Sequence, residues 1–288
     1  MTPLVSIILP AYNAEKTVAD SIASILLQTY SNWELMFIDD GSGDDTLKIV
    51  RQFDDPRIRI YADGFNRRLS VRLNEGIDHA GGKYLARMDA DDLCFPDRLA
   101  RQVEYLEANP NIDLLGTAAL LFNSSGDAMG LFPFRQTHEE ICKHPWNGFY
   151  LPHPTWMGRA EWFRKYRYRI PEVERAEDQD LLLRSYPTSR FACLPEMLFA
   201  YRVRDRVLLR SNQVARRNFL RAQMLEFSRR AKWQYLLMAM LMFVVKSAAD
   251  IWRAFSGRNA RYSTAGLDAY AASWNLLRSR ISSCKEGM

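Results

Sequence analysis

The chain has 288 residues, 48% of them hydrophobic, a net charge of +5 and four cysteines without paired spacing. This excludes a disordered chain, a disulfide scaffold and a structural zinc site, and makes a reducing, cytosolic compartment the expectation. Charge is segregated: residues 202–288 carry 17 Lys and Arg against 5 Asp and Glu, and the rest carries 22 against 29.

In chain order, the first residues have no basic n-region and no small-residue cleavage site, so no signal peptide is expected. Val5 to Leu9 is an apolar, β-branched run that suits a strand buried on both faces, and Pro10 ends it. Asn13 is placed to cap a helix with apolar Val18, Ile22, Ile25 and Leu26. A second strand, Leu35 to Ile38, stops at Asp39-Asp40-Gly41-Ser42, and Ser42 to Asp45 fits a capping box before a helix carrying Leu47, Val50 and Phe53. The strand Ile58 to Tyr61 leads to a helix over Val71 to Ala80, ended by Gly81-Gly82. Lys83 to Ala86 begins a strand that ends at Asp89. Pro96 starts a helix with Leu99, Val103 and Leu106, stopped by Asn109-Pro110. Ile112 to Leu121 reads as a further strand. This alternation predicts βαβ units and a largely parallel sheet. The turn Ala11 to Glu15 contains no glycine, which argues against a dinucleotide-binding Rossmann domain, and no P-loop is present.

Asp89, Asp91 and Asp92 put three carboxylates at the end of a strand, where open α/β sheets bind ligands. Clustered carboxylates repel unless a cation neutralises them. Hard oxygen ligands suit manganese or magnesium, and the missing ligands point to a substrate diphosphate. A solvated acidic turn capping the next helix is the alternative.

Val5-Ser6-Ile7-Ile8-Leu9-Pro10-Ala11-Tyr12-Asn13, Ile38-Asp39-Asp40-Gly41-Ser42 and Met88-Asp89-Ala90-Asp91-Asp92 occur in that order. Together they resemble the family 2 glycosyltransferases, inverting enzymes of the GT-A fold, over roughly residues 4 to 205. The resemblance implies an α/β GT-A type nucleotide-diphospho-sugar transferase fold with a mostly parallel sheet and a C-terminal helical extension. It places Pro10, Tyr12, Asn13, Asp39 and Asp40 at the donor, with Tyr12 stacked on the nucleobase, Asp40 accepting a base N–H and Asp39 in support. Asp89 and Asp91 would hold Mn2+ or Mg2+ and the donor diphosphate, Asp91 as direct ligand and Asp92 behind it.

Arg68 and Arg72 fall where the family places groups against the donor ribose and diphosphate. Read alone, they are a loop charge and a helix-surface charge. Leu151 to Thr155 resembles the segment lining the acceptor side, which brings in His153, and Trp156 nearby could stack on a sugar face. The Asp of the Glu177-Asp178 pair maps to the catalytic base, whereas spacing alone makes both residues helix N-terminal acids favoured by the macrodipole. Leu198 to Val203 resembles the closing strand of the catalytic domain. A His usually follows it; here Arg204-Asp205-Arg206 follows, and Arg204 or Arg206 is a substitute phosphate-binding cation.

The implied organisation is a catalytic domain over 1–210, with a donor half 1–121 and an acceptor half 122–210, followed by a basic helical region over 211–288. Asn212 to Ala231 reads as a basic amphipathic helix. Tyr235 to Val245 is apolar and, at about 16 Å as a helix, too short to span a bilayer core of roughly 30 Å. Flanked by cations, it suits the membrane interface, or else a buried or dimer-contact helix. No nucleic-acid module accompanies the basic residues.

The expected activity is transfer of a sugar from a nucleotide-diphosphate sugar, UDP-linked by the resemblance, to a hydroxyl of a glycan or polyprenyl-linked acceptor. Cell-surface polysaccharide synthesis at the cytoplasmic face of the inner membrane is the expected setting. A degenerate, non-catalytic glycan- or partner-binding domain is the rival reading.

Overall fold

A computed structural model describes residues 2–170, 175–203, 209–256, 262–264 and 266–286; Arg204, Asp205 and Arg206 lie outside the described residues. Its elements run β1 (Val5–Ala11), α1 (Val18–Leu26), β2 (Trp33–Asp39), α2 (Thr46–Val50), β3 (Ile58–Ala62), α3 (Leu69–His79), β4 (Tyr84–Arg87), β5 (Leu93–Cys94), α4 (Arg98–Ala108), β6 (Leu114–Phe122), β7 (Ala128–Leu131) and α5 (His138–Ile141). They continue through β8 (Met157–Arg159), α6 (Ala160–Lys165), α7 (Glu177–Ser185), β9 (Phe191–Arg202), α8 (Leu209–Arg229), α9 (Trp233–Ser256) and α10 (Ala271–Glu286).

The strands form one sheet in the order β3-β2-β1-β4-β8-β6-β9-β5, with β7 on β6. The first four pair in parallel, as the βαβ alternation predicts. Beyond β4 the sheet is mixed: β8 runs antiparallel to β4 and β6, β9 parallel to β6, and β5 antiparallel to β9. The expectation of a largely parallel sheet therefore holds for the donor side and is corrected beyond it. Helices still separate the strands there, α4 before β6 and α6 and α7 before β9, so the alternation of elements does not by itself fix strand direction.

Every residue of β1 and β2 is buried, which explains their unbroken apolar runs. Strand alternation sends Val5, Ile7 and Leu9 to the face covered by Val18, Ile22, Leu99 and Val103, and Ile8, Met36 and Ile38 to the face covered by Leu73 and Ile77. Gly76 lets α3 lie close on the sheet, because a Cβ there would come within 2.4 Å of Ile8 Cγ2. The pairings Ala11 with Asp39 and Ile8 with Arg87 bring the carboxyl ends of β1, β2 and β4 to one edge.

Several predicted boundaries move for local reasons. Asn13 does not cap α1, which starts after Thr17; Asn13 is left-handed (φ 50°), and its side-chain oxygen accepts the Gly43 N–H at 2.9 Å. The capping box at Ser42 to Asp45 does not form; Ser42 Oγ instead accepts the Asn13 N–H at 3.0 Å, and Asp44 Oδ1 accepts the Thr46 N–H at 3.0 Å. The polar residues that could have capped helices thus tie the first two loops together. α4 begins at Arg98 rather than Pro96, because β5 intervenes to pair with β9. Gly81-Gly82 does not terminate α3, which ends at His79 with Ala80 already extended; Gly82 instead packs against Leu4 and Ser6.

The C-terminal region folds back on the sheet. α8 packs on α7 and α9, and α10 on α1. Phe227 and Ala239 join the core beside α7, while Trp274, Leu277 and Ile281 join one with Phe122 and Leu93. Ser263 bridges Leu131 of β7, a contact that Gly130 (φ 151°) permits, since a Cβ there would lie 2.6 Å from Tyr262 Cβ.

Candidate active site

A cleft of about 1300 Å3 opens at the carboxyl edge of the sheet. Pro10, Tyr12, Asn13, Asp89 and Asp91 lie on its wall, joined by Arg175, Tyr201, Arg202, Asn212 and Tyr262. Tyr12 is 54% exposed, an unusual state for an aromatic ring at the end of a buried strand, and its face is accessible to a stacking partner.

Asp39 and Asp40 sit behind this wall, buried. Asp39 Oδ2 accepts the N–H groups of Gly41 (3.0 Å) and Ser42 (2.9 Å), which closes the turn. Asp40 Oδ1 accepts the Arg67 and Arg68 N–H groups (2.6 and 3.1 Å) and the Arg72 Nε–H (2.9 Å). It clamps the loop Asp63 to Arg68 against the second motif. Gly41 (φ 73°) is needed there, because a Cβ would stand 2.7 Å from the Phe65 backbone. Arg68, left-handed at φ 70°, meets Asp40 through its backbone while the residue is exposed.

Arg72 corrects the expectation of a direct phosphate contact. It is 1% exposed and pairs with Asp40 (2.9 Å), Asp63 (2.6 Å) and Glu75 (2.8 Å), all within the protein. Helical spacing from Leu69 turns it toward the sheet rather than the surface. Arg72→Ala would leave Asp40 buried without its cation, a loss of about 3 kcal/mol at the lower end for buried pairs, because Asp63 and Glu75 retain solvent. The expected result is a lower denaturant midpoint at unchanged slope; a midpoint equal to that of the parent protein would contradict it.

The third motif divides its carboxylates. Asp91 is exposed at the cleft, Asp89 is half-buried and Asp92 is fully buried. Oxygens of all three lie within 4.8 Å of one another. Arg87 reaches Asp89 with both terminal nitrogens, Nη2 to Oδ1 at 2.7 Å and Nη1 to Oδ2 at 3.0 Å. Asp92 Oδ1 accepts the Arg202 N–H at 2.7 Å, and Arg202 Nε donates to the Asp91 carbonyl at 2.7 Å, so β9 locks this turn. Burial, then the charges of Asp91 and Asp89, raise the Asp92 carboxyl well above the usual range. Its Oδ2 is buried without a hydrogen-bond partner. Three hard carboxylates, one strained by its neighbours and one orphaned oxygen, fit a divalent cation.

Glu177 and Asp178 open α7, and burial raises both. Glu177 is pushed to about 7 by burial and then by the Asp178 charge. Asp178 Oδ2 accepts from Gln179 Nε2 at 3.2 Å. His153 is buried, with Nε2 2.7 Å from the Tyr168 hydroxyl and Nδ1 3.8 Å from Glu177 Oε1. Burial, then Arg87, hold its imidazole well below its ordinary pKa, so it is neutral. The expectation that Trp156 stacks on a sugar is corrected: it is 0% exposed, packed on His153, with Nε1 donating to the Leu151 carbonyl.

The structure therefore brings Asp89, Asp91, Asp92, Glu177, Asp178 and His153 around Arg87, while Tyr12 and Asn13 lie along the cleft and Asp40 ties Arg67, Arg68 and Arg72 together outside its lining. Sequence reasoning missed Arg87, Arg98 and Arg202. Arg87 had a legible signal: a charge in an apolar strand, two residues before Asp89 and so on the same face. Arg98 had none; its Nη2 donates to the carbonyls of Arg87 (2.7 Å) and Pro154 (3.2 Å), stapling β4 to the 151–155 segment.

A family model described as Glycosyl transferase family 2 matches residues 6–167. Putative glycosyltransferase EpsE of Bacillus subtilis (strain 168) is 40% identical over 190 residues, 64% of this chain and 67% of that protein. UDP-Glc:alpha-D-GlcNAc-diphosphoundecaprenol beta-1,3-glucosyltransferase WfgD of Escherichia coli is 34% identical over 141 residues, 49% of this chain and 56% of that protein. This chain thus spans between about half and two thirds of these relatives' lengths. Among solved structures, mannosyltransferase PcManGT from Pyrobaculum calidifontis in complex with GDP-Man and Mn2+ superposes with a TM-score of 0.61 at 17% identity, covering 99% of this chain and 86% of that one. That likeness establishes the GT-A fold expected from the three motifs. With the family match extending over more than half of the chain, the conclusion is that the protein belongs to glycosyl transferase family 2.

Proposed function

We propose that this protein moves one sugar from a nucleotide-diphosphate sugar to a hydroxyl of a glycan or lipid-linked glycan, with inversion at the anomeric carbon. One observation carries the reading. Arg87 pairs with Asp89 of the carboxylate cluster and lies within electrostatic range of Glu177 and Asp178, so a diphosphate site and a basic carboxylate share one buried cation. Residues 1–210 are assigned as the catalytic unit, with donor half 1–121 and acceptor half 122–210. Residues 211–288 are its helical extension.

Tyr12 stacks on the nucleobase; Asp40, expected to accept a base N–H, has its carboxylate taken by the Arg67 and Arg68 N–H groups and Arg72 instead, and with Asp39 in support it holds the loop on which the base and ribose rest, while Pro10 and Asn13 shape its wall. Asp91 and Asp89 would hold Mn2+ or Mg2+, with Asp92 behind them. When bound, the cation offsets charge on the departing diphosphate. Arg68, exposed on that loop, is assigned to the donor phosphates. Asp178 takes the proton from the acceptor hydroxyl as the oxygen attacks. Glu177, pushed up to about 7, holds a proton near neutrality and so limits repulsion on Asp178. Neutral His153 orients Glu177 from the acceptor side.

A UDP donor is favoured, because WfgD is a UDP-Glc-dependent transferase, and its alpha-D-GlcNAc-diphosphoundecaprenol acceptor supports a lipid-linked acceptor here. Such an acceptor would place the reaction at the cytoplasmic face of the membrane, in cell-surface polysaccharide synthesis. The test is a panel of nucleotide sugars incubated with protein and Mn2+, with released nucleoside diphosphate as readout. One UDP-sugar should be consumed, and chelation should stop the reaction. Donor binding without release across the panel would instead favour the non-catalytic alternative.

A further inference from the structure

The apolar run at Tyr235 to Val245 is part of a 24-residue helix, α9, about 36 Å long, so the expectation that it is too short to span a bilayer core is corrected. Only 11% of its most apolar window is buried, which also excludes the buried-helix alternative within this chain. Trp233, Leu237, Leu241, Val244, Trp252 and Phe255 are all exposed and fall on one stripe at helical spacing. The distribution of charge is the reverse of that on an ordinary surface helix. Lys246 points inward and donates to the Asn147 carbonyl, and Asp250 points inward to Arg216, with Oδ1 accepting from Nη2 at 2.9 Å. Among the described residues of α9 and the turn before it, the exposed charges are Lys232 and Arg253, with Arg229 just before them at the end of α8; all are basic, Arg229 facing buried Glu226 at 3.6 Å and Arg253 facing buried Asp250 at 3.4 Å.

We propose that α9 docks in the plane of an anionic lipid surface, with its outer stripe among the acyl chains and the cations at its two ends on the headgroups. A stripe of this size on a soluble protein marks a protein or membrane contact. Pairing two copies through α9, parallel or antiparallel, would bring basic ends together with no exposed acid to offset them. An anionic lipid surface supplies negative charge to these exposed cations beyond Glu226 and Asp250, and Trp at both ends of the stripe suits the headgroup boundary. The inward ion pair of Asp250 with Arg216 of α8 and the Lys246 hydrogen bond to the Asn147 carbonyl hold the helix along the protein, so it lies in the interface rather than crossing it. Ser211 and Asn212, at the start of α8, line the cleft, so the helix pair that carries the stripe also forms part of the cleft wall. The inference extends the lipid-linked acceptor reading, but its test needs no turnover, so either can fail alone.

The experiment is flotation of the full chain with vesicles of phosphatidylcholine alone and of phosphatidylcholine with phosphatidylglycerol. The protein should float with the anionic vesicles at low salt and less so at high salt. Leu237→Glu combined with Val244→Glu should lower the bound fraction about tenfold or more, with unchanged circular dichroism and Mn2+-dependent UDP binding. Should that pair disturb folding, Leu237→Gln alone should still weaken flotation. Arg229→Gln with Lys232→Gln should remove the preference for anionic vesicles. Protein that stays at the bottom at low salt overturns the proposal, as does a dimer in solution that Leu237→Glu dissociates without any vesicle binding.

Discussion

Asp178→Asn should lower kcat by about 10²-fold or more while leaving donor affinity within about twofold. The substitution keeps the shape and the Gln179 contact but removes the proton acceptor. Burial raises the Asp178 pKa, and a base works only when ionised, so turnover of the parent protein should fall as pH drops, with its acid limb above the usual carboxylate range. In the variant that limb should flatten. Glu177, at about 7, titrates beside it, and Glu177→Gln should therefore change the shape of the profile without removing turnover. The measurements are kcat against pH with a competent donor, and donor binding by calorimetry. Near-normal turnover in Asp178→Asn would transfer the role to Glu177. Asp180 is already committed to Arg184 at 2.9 Å and Arg169 at 3.2 Å.

Asp91→Ala should abolish transfer, and its effect on stability should separate that loss from misfolding. Asp92 is buried beside two like charges, and its folded-state pKa is raised. A raised carboxyl contributes stability at low pH that is lost as pH rises through the folded value. The metal-free protein is therefore held down above the folded pKa of Asp92, and Mn2+ should raise its melting temperature more as pH rises through that value than in acid. Removing Asp91 removes one of those like charges, so the variant without Mn2+ should melt no lower than the parent. It should lose the Mn2+-dependent increment and Mn2+-dependent UDP affinity. Unchanged Mn2+-dependent affinity in calorimetry would show that the cation is held elsewhere.

Legibility from sequence followed the range of the forces involved. β1, β2 and the helices between them were readable because an unbroken apolar run and a 3.6-residue period are local consequences of burial in a parallel sheet. The carboxylates at 89, 91 and 92 were readable as a group because a strand end concentrates them within one turn. Helix starts were not, since Asn13 and Ser42 spend their polar atoms across loops about 30 residues apart, and Asp44 divides its carboxylate between the Glu15 N–H of the other loop and the Thr46 N–H of its own helix.

The residues around the site that were misassigned depend on contacts that no local pattern encodes. Arg72 and Trp156 have the composition of ligand-binding residues, yet both are buried, Arg72 among Asp40, Asp63 and Glu75 and Trp156 against His153 and Leu151. Arg98 joins two segments through carbonyl groups, which leave no mark on residue identity. In the C-terminal region, composition determined that residues 202–288 are basic and that Tyr235 to Val245 is apolar. Only tertiary structure decided which side of α9 meets the protein, because Lys246 and Asp250 find partners on Asn147 and Arg216. Satisfying those two charges inward forces the apolar stripe outward.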